Sequence, residues 1–185
     1  SKTGDIWVTD QGGNTIRKFT PDGQLALTIG TAGQAGDPPS RLTSPGAIAI
    51  GPDGNVYVTE GHEARPSAAV NRVSVWGPDG HFVRLWGRTG GSPGEFSVPH
   101  ALAFDSQGRV LVGDRNNNRI QVFDKDGAFL DLWYQFGRPS AILVGANDRL
   151  YVSDSESNSA TNPGWLKGIR IGSAKTGLVD GFLPD

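Results

Sequence analysis

The stretch Gly108-Arg109-Val110-Leu111-Val112-Gly113-Asp114 is one of four versions of the same pattern in this chain. The other versions are Gly4–Asp10, Gly54–Glu60 and Asp148–Asp154, and each ends a mostly apolar run with an acidic residue. These acidic residues follow one another at intervals of 40 to 54 residues. A repeat of this length, built on short strands with Asp-Gly turns between them, is typical of a β-propeller. We therefore predict an all-β chain in which each version belongs to one blade.

The composition agrees with this fold class and excludes several functions. The chain has 185 residues with 27 Gly and 12 Pro, 36% hydrophobic residues and 19% charged residues, which is too apolar for a disordered protein. A net charge of −2 offers no basic surface, and no apolar run approaches the ~18 residues of a membrane span. We therefore expect no nucleic-acid or membrane partner. Because cysteine is absent, a metal would need His, carboxylate or backbone oxygen ligands.

The second repeat shows the expected blade most clearly. Ala47–Ile50 is a short apolar run, as in a strand buried on both faces, and Val56–Thr59 follows after an Asp-Gly turn. Arg72–Trp76 and Phe82–Trp86 then alternate polar and apolar residues, which is typical of half-buried strands. The third and fourth repeats predict the same four strands. The first repeat predicts only the last three, so we expect its blade to lack the innermost strand.

One domain, residues 1–185, is predicted, with blades at about 1–43, 44–97, 98–137 and 138–185. An unpaired blade edge invites association with other strands, so a propeller normally closes into a ring. We interpret the chain as four blades of a larger ring of about six. The alternative is a ring completed by a second copy of the chain, and unpaired edges predict self-association.

Twelve apolar positions on the predicted first, second and third strands are expected to form the core. They are Ile48, Ile50, Val56, Val58, Val73, Val75, Leu102, Phe104, Val110, Val112, Ile120 and Val122.

The strand directions predict where a functional site lies. First strands start, and second strands end, at the same end of every blade, whereas the Asp-Gly turns lie at the opposite end. Before the first strands, only Val98-Pro99-His100 carries an imidazole. After the second strands, one repeat carries His62 and another carries Arg115. Variable loops on a rigid scaffold commonly carry function, so these three residues are the candidate site.

A plainer interpretation exists for each of these residues. A histidine at the start of a strand is often a hydrogen-bonding surface residue, and Arg115 could cap the neighbouring loop or pair with Asp114. His81, in an Asp-Gly turn, is interpreted as solvated surface. The acidic residues that end the second strands recur in every blade, so we interpret them as structural hydrogen-bond anchors: Asp10, Glu60, Asp114 and Asp154. The links at 61–71 and 156–167 are longer than their counterparts in the other repeats.

Several segments resemble NHL-repeat propellers: Asp114–Phe123, and Trp86-Gly87 followed by Pro93–Phe96. Within that group the chain is similar to the peptidyl-α-hydroxyglycine α-amidating lyase family. This likeness is carried by Gly4–Asp10, Val58–Gly61 and above all Glu95–Ala103, which contains Val98-Pro99-His100.

The resemblance implies a six-bladed propeller that cleaves the N–Cα bond of peptidyl-α-hydroxyglycine, releasing a peptide amide and glyoxylate. It also implies a channel zinc bound by three histidines, a calcium, a tyrosine base, substrate-binding arginines and a secreted or periplasmic location. By position, His100 matches a zinc histidine, Arg115 matches a substrate-site arginine, and His62 replaces the tyrosine. The remaining zinc and calcium ligands are expected outside residues 1–185, so this chain alone is expected to hold neither metal and to be inactive.

Three functions follow as hypotheses. The first is a metal-dependent lyase in which His100 ligates zinc, Arg115 binds the substrate and His62 acts as a base, since imidazole titrates near neutral pH. The second is a non-catalytic scaffold that binds a protein or small ligand on the variable face. The third is a calcium-dependent lactonase-type propeller, for which the sequence shows no clear set of carboxylates.

Overall fold

The computed structural model describes residues 4–62 and 70–185, and regular structure in these residues is almost entirely strand. The described residues form fifteen strands in one three-stranded and three four-stranded antiparallel sheets, each with its strands in chain order. The helical elements in the described residues are two single turns of 3₁₀ helix, at Arg115–Asn117 and Ala146–Asp148. No helix there is long and apolar enough to cross a membrane. The all-β prediction is confirmed.

The strands of the first two blades match the predicted runs closely. They are β1 Ile6–Asp10, β2 Thr15–Phe19, β3 Leu25–Ile29, β4 Pro45–Ile50, β5 Val56–Glu60, β6 Arg72–Trp76 and β7 Phe82–Trp86.

The third and fourth blades repeat the same order of strands. They are β8 Pro99–Phe104, β9 Val110–Asp114, β10 Arg119–Phe123, β11 Phe129–Trp133, β12 Pro139–Val144, β13 Arg149–Asp154, β14 Gly168–Ser173 and β15 Val179–Pro184.

First strands start earlier than predicted because a proline in each pairs with the acidic residue that ends the second strand. Pro99 pairs with Asp114 and Ala101 pairs with Gly113, so His100 is an extra residue in β8, a β-bulge. The fourth blade has the same bulge at Ser140. A proline is tolerated as the first residue of a strand, since no ladder hydrogen bond is lost there.

The apolar core lies between neighbouring blades. One cluster joins blades one and two around Ile16, Val58 and Trp76, and each of the two following blade pairs has its own cluster. Nine of the twelve predicted core residues are buried. Ile48, Ile50 and Phe104 are only partly buried, although each packs against a cluster. These three lie on first strands, which contact the first strands of adjacent blades; among residues 4–62 and 70–185, no further strand pairs with their inner edge.

The acidic residues that end the second strands are hydrogen-bonded, as predicted for structural anchors. Asp114 Oδ1 accepts from the Ser97 N–H at 2.7 Å, and Oδ2 accepts from Arg119 Nε at 2.8 Å. Glu60 Oε2 accepts in the same way from the Thr43 N–H and the Arg72 guanidinium, both at 2.8 Å. Each of these two anchors thus ties the segment before the first strand to an arginine of the third strand.

Candidate functional site

His100 is presented by strained backbone and by the bulge in β8. Val98, two residues earlier, has a φ of 55°, which is unfavourable for a β-branched side chain. Two hydrogen bonds hold it there: the Val98 N–H donates to Asn71 Oδ1 at 2.8 Å, and its carbonyl accepts from the Arg115 N–H at 3.3 Å. Bulges and strained residues of this kind commonly redirect a side chain next to a site.

The hydrogen bond of the His100 ring determines which of its two nitrogens is free to accept a metal ion or a proton. Nδ1 lies 2.7 Å from the backbone oxygen of Ser140, and a carbonyl oxygen can only accept, so Nδ1 carries the proton. Burial lowers the pKa of His100, and the charges of Arg115 and His62 lower it further, against the opposing hydrogen bond to Ser140. The neutral ring therefore has an unprotonated Nε2, the arrangement in which a histidine binds a metal.

His62 lies directly beside His100. The two rings are 4.6 Å apart between centroids and inclined by 43°. The backbone N–H of His62 donates to the Ser44 carbonyl at 3.3 Å, which holds the end of β5 against the start of β4. The longer link 61–71 that begins here includes residues 63–69, which lie outside the described residues.

Arg115 lies directly after the end of β9, at the same end of the propeller as His62 and His100. We call this end, marked by His62, His100 and Arg115, the mouth. Its guanidinium Nη1 lies 3.1 Å from Oε1 of Glu156, whereas Asp114 pairs with Arg119. The alternative pairing of Arg115 with Asp114 is therefore wrong. Burial lowers the pKa of Arg115 more than Glu156 raises it, yet an arginine remains charged at neutral pH. Arg115 therefore brings a fixed positive charge to the mouth.

Two residues of the mouth were missed by the sequence analysis, Arg138 and Glu156. Arg138 Nη2 donates to Glu156 Oε2 at 3.0 Å and to Asn116 Oδ1 at 2.7 Å. Glu156 thus joins the arginines of the third and fourth blades. The signal for Arg138 was present, because it precedes Pro139 as Val98 precedes Pro99. The direction of its side chain toward the neighbouring blade was not readable from that pattern.

The structure therefore brings His62, His100 and Arg115 together and leaves the third histidine apart. His81 lies in the turn at the opposite end, exposed and paired with Asp79. Within residues 4–62 and 70–185, no group of three or more His, Cys, Asp or Glu side chains is arranged to hold a metal ion. The roles of His62, His100 and Arg115 remain predictions.

Comparison with known proteins agrees with the architecture. The NHL repeat family matches residues 96–123, which include β8 to β10. NHL repeat-containing protein 3 of Homo sapiens is 36% identical over 135 residues, which are 69% of this chain and 38% of that protein. Peptidyl-alpha-hydroxyglycine alpha-amidating lyase 1 of Drosophila melanogaster is 28% identical over 138 residues, 68% of this chain and 24% of that protein. The chain thus spans well under half the length of these relatives.

A solved structure supports the fold alone. A gluconolactonase from Xanthomonas campestris is 21% identical, with a TM-score of 0.67 over 97% of this chain and 58% of that chain. The repeated sheets, the NHL match and these relatives lead to one assignment. The chain is a β-propeller of the NHL type, and it resembles the peptidyl-α-hydroxyglycine α-amidating lyase family.

Proposed function

We propose that this chain carries part of the active site of a lyase that cleaves peptidyl-α-hydroxyglycine into a peptide amide and glyoxylate. The observation that supports the proposal is the convergence of three segments: the His62 ring lies 4.6 Å from the His100 ring, and the Arg115 N–H donates to the carbonyl of Val98, two residues before His100, at 3.3 Å. The Drosophila relative, whose name states this activity, adds support.

The proposed reaction moves one proton from the hydroxyl oxygen to the leaving nitrogen and breaks the N–Cα bond. His62 takes the proton of the α-hydroxyl group, and the electrons of that O–H bond form the carbonyl of glyoxylate. The N–Cα bond breaks with its electron pair on nitrogen, which takes up a proton and becomes the peptide amide. Imidazole suits such a transfer, because its pKa lies near neutrality. Arg115 holds the substrate carboxylate through a charge-assisted pair.

A zinc ion fits His100, because the bond from Nδ1 to Ser140 leaves Nε2 unprotonated. Zinc bound there would act as a Lewis acid on the hydroxyl oxygen. Catalytic zinc usually has three protein ligands, so the remaining ligands would come from outside the described residues. A calcium ion is proposed for the longer protein on the same resemblance.

The test uses a full-length protein that contains this chain. We expect His100→Ala to lower the zinc content, and Arg115→Ala to raise KM at least tenfold with zinc retained, since one charge-assisted bond contributes roughly 1.5–3 kcal/mol. His62→Ala should lower kcat by ~10²-fold or more. His81→Ala, at the opposite end, is the matched control and should change none of these. A protein that binds no metal and keeps all its function without His100 and Arg115 contradicts the proposal.

One observation favours a second function, a non-catalytic scaffold that binds a peptide or protein at this mouth. His62 occupies the position at which the resemblance places a tyrosine base. In the scaffold, His62, His100 and Arg115 would contact the partner, and their replacement would weaken binding without any turnover to measure.

A further inference from the structure

Glu156 is held between two arginines at the mouth of the propeller. Its carboxylate lies 3.1 Å from Arg115 Nη1 and 3.0 Å from Arg138 Nη2. Its two carboxylate oxygens thus pair with two different guanidinium groups, Oε1 with that of Arg115 and Oε2 with that of Arg138. The Glu156 side chain is 40% exposed, whereas those of Arg115 and Arg138 are 14% and 9% exposed. The carboxylate is therefore accessible to solvent, and the guanidinium groups lie beneath it.

The guanidinium group of Arg138 and the backbone of Arg115 are both held in place without Glu156. Arg138 donates to Asn116 Oδ1 at 2.7 Å and to Asn118 Oδ1 at 3.2 Å. The backbone N–H of Arg115 donates to the Val98 carbonyl, which holds the start of the 3₁₀ turn against the segment before β8. A guanidinium group that is already held, like that of Arg138, binds an anion with little loss of side-chain entropy.

The charge at this position is not balanced. Two guanidinium groups face one carboxylate, and the nearby Asp154 is paired with Arg170. Both Arg115 Nε and Arg138 Nε are buried and have no hydrogen-bond partner among residues 4–62 and 70–185. A buried donor without a partner is uncommon in proteins and costs stability. The mouth thus retains a positive charge and unused donors next to Glu156.

We propose that Arg115 and Arg138 form a carboxylate-binding site whose resting occupant is Glu156, so that the carboxylate of a ligand binds by displacing the Glu156 side chain. Only the identity of the natural ligand, the terminal carboxylate of an α-hydroxyglycine peptide, rests on the proposed function. Glu156 follows β13 in the longer link 156–167, where movement of one exposed side chain leaves the strand in place. Glu156 then lowers the affinity for any monocarboxylate by competing for the same donors.

The test uses glycolate, an α-hydroxy monocarboxylate, with its neutral analogue glycolamide as the control ligand. Binding is followed through the Nε–H signals of Arg115 and Arg138 in ¹H–¹⁵N spectra of the chain. Glu156→Gln should bind glycolate roughly tenfold more tightly than the wild type, because the competing charge-assisted bond is removed. Asp180→Asn removes the same charge from an exposed pair with Arg149 and should leave glycolate binding unchanged. Glycolamide should not bind any of the variants.

The proposal is overturned if Glu156→Gln binds glycolate no more tightly than the wild type, or if Asp180→Asn tightens binding equally. Arg138→Gln should abolish glycolate binding; if that variant does not fold, the comparison of Glu156→Gln with Asp180→Asn still decides. Assay of lyase activity in a full-length protein separates the two proposals. Tighter glycolate binding without lyase activity supports the carboxylate site and contradicts the lyase. Lyase activity without tighter glycolate binding supports the lyase and contradicts the carboxylate site.

Discussion

Two acidic residues at equivalent positions of the repeat have different surroundings. Asp114 is fully buried and lies 2.8 Å from Arg119, whose side chain is 3% exposed. Asp10 lies 3.6 Å from Arg17, and both of these side chains are about 40% exposed. An ion pair in water contributes little, whereas the loss of one partner of a buried pair leaves a charge uncompensated.

We therefore expect Asp114→Ala to lower the free energy of unfolding by about 3–5 kcal/mol and Asp10→Ala by less than ~1 kcal/mol. Urea denaturation of the two variants measures the difference. Equal losses of unfolding free energy would show that the burial of the ion pair does not determine how much an acidic anchor contributes to stability.

Tyr57 gives the chain a dependence of stability on alkaline pH. Burial, followed by the hydrogen bond to Asp53, raises the pKa of Tyr57 from 10.0 to about 12. The unfolded chain therefore loses this proton at a lower pH than the folded chain, and stability present below pH 10 is lost as the pH rises toward 12. Two pKa units correspond to about 2–3 kcal/mol. The free energy of unfolding of the wild type should therefore fall between pH 10 and 12 by about 2–3 kcal/mol more than that of Tyr57→Phe. Chemical denaturation of both proteins at each pH measures this difference. Parallel curves would contradict the assignment.

At the scale of the element, turns that look interchangeable in sequence differ in structure. Gly54 and Gly127 both follow an aspartate in a tight turn and have φ values of 83° and 92°. A Cβ added at Gly54 would meet nothing within 4 Å. A Cβ added at Gly127 would lie 2.7 Å from the ring of Trp86 in the preceding blade.

Gly54→Ala should cost about 1–2 kcal/mol, which is the strain of an L-residue in the left-handed region. Gly127→Ala should cost a further 1–3 kcal/mol, because Trp86 must move. Melting temperatures of the two variants compare these costs directly. Both variants should bind ligand at the opposite end like the wild type, and a selective loss of binding would mean that the functional face is wrongly assigned.

The apolar core of the whole molecule lies between neighbouring blades. The cost of truncating an apolar residue therefore depends on which strand of its blade carries it. Ile120, on a third strand, is fully buried, whereas Ile48, on a first strand, is partly buried. Ile120→Ala should therefore cost about 2–5 kcal/mol and Ile48→Ala roughly half as much. Thermal unfolding of both variants checks this order. A greater loss of stability in Ile48→Ala would indicate that the first strands, at the inner edge of the blades, are covered in solution.

The sequence by itself determined the blades and the end at which the candidate site lies. A period of strands and Asp-Gly turns is local information, because alternation and turn residues depend on near neighbours in the chain. The same logic placed His62, His100 and Arg115 at one mouth, since strand direction follows from counting strands. The start of β8 at Pro99 was missed, because the pairing of Pro99 with Asp114 and the bulge at His100 depend on two strands at once.

Only the tertiary structure decided which side chains meet. Arg138 and Glu156 come from different loops, and the ion pair of Glu156 with Arg115 depends on the direction of a side chain across a blade boundary. The pairing of Nδ1 of His100 with Ser140 likewise crosses from one blade to the next. The physical reason is that a repeat specifies each blade through its own hydrogen bonds, whereas the site and the core both lie between blades, where residues distant in sequence come into contact.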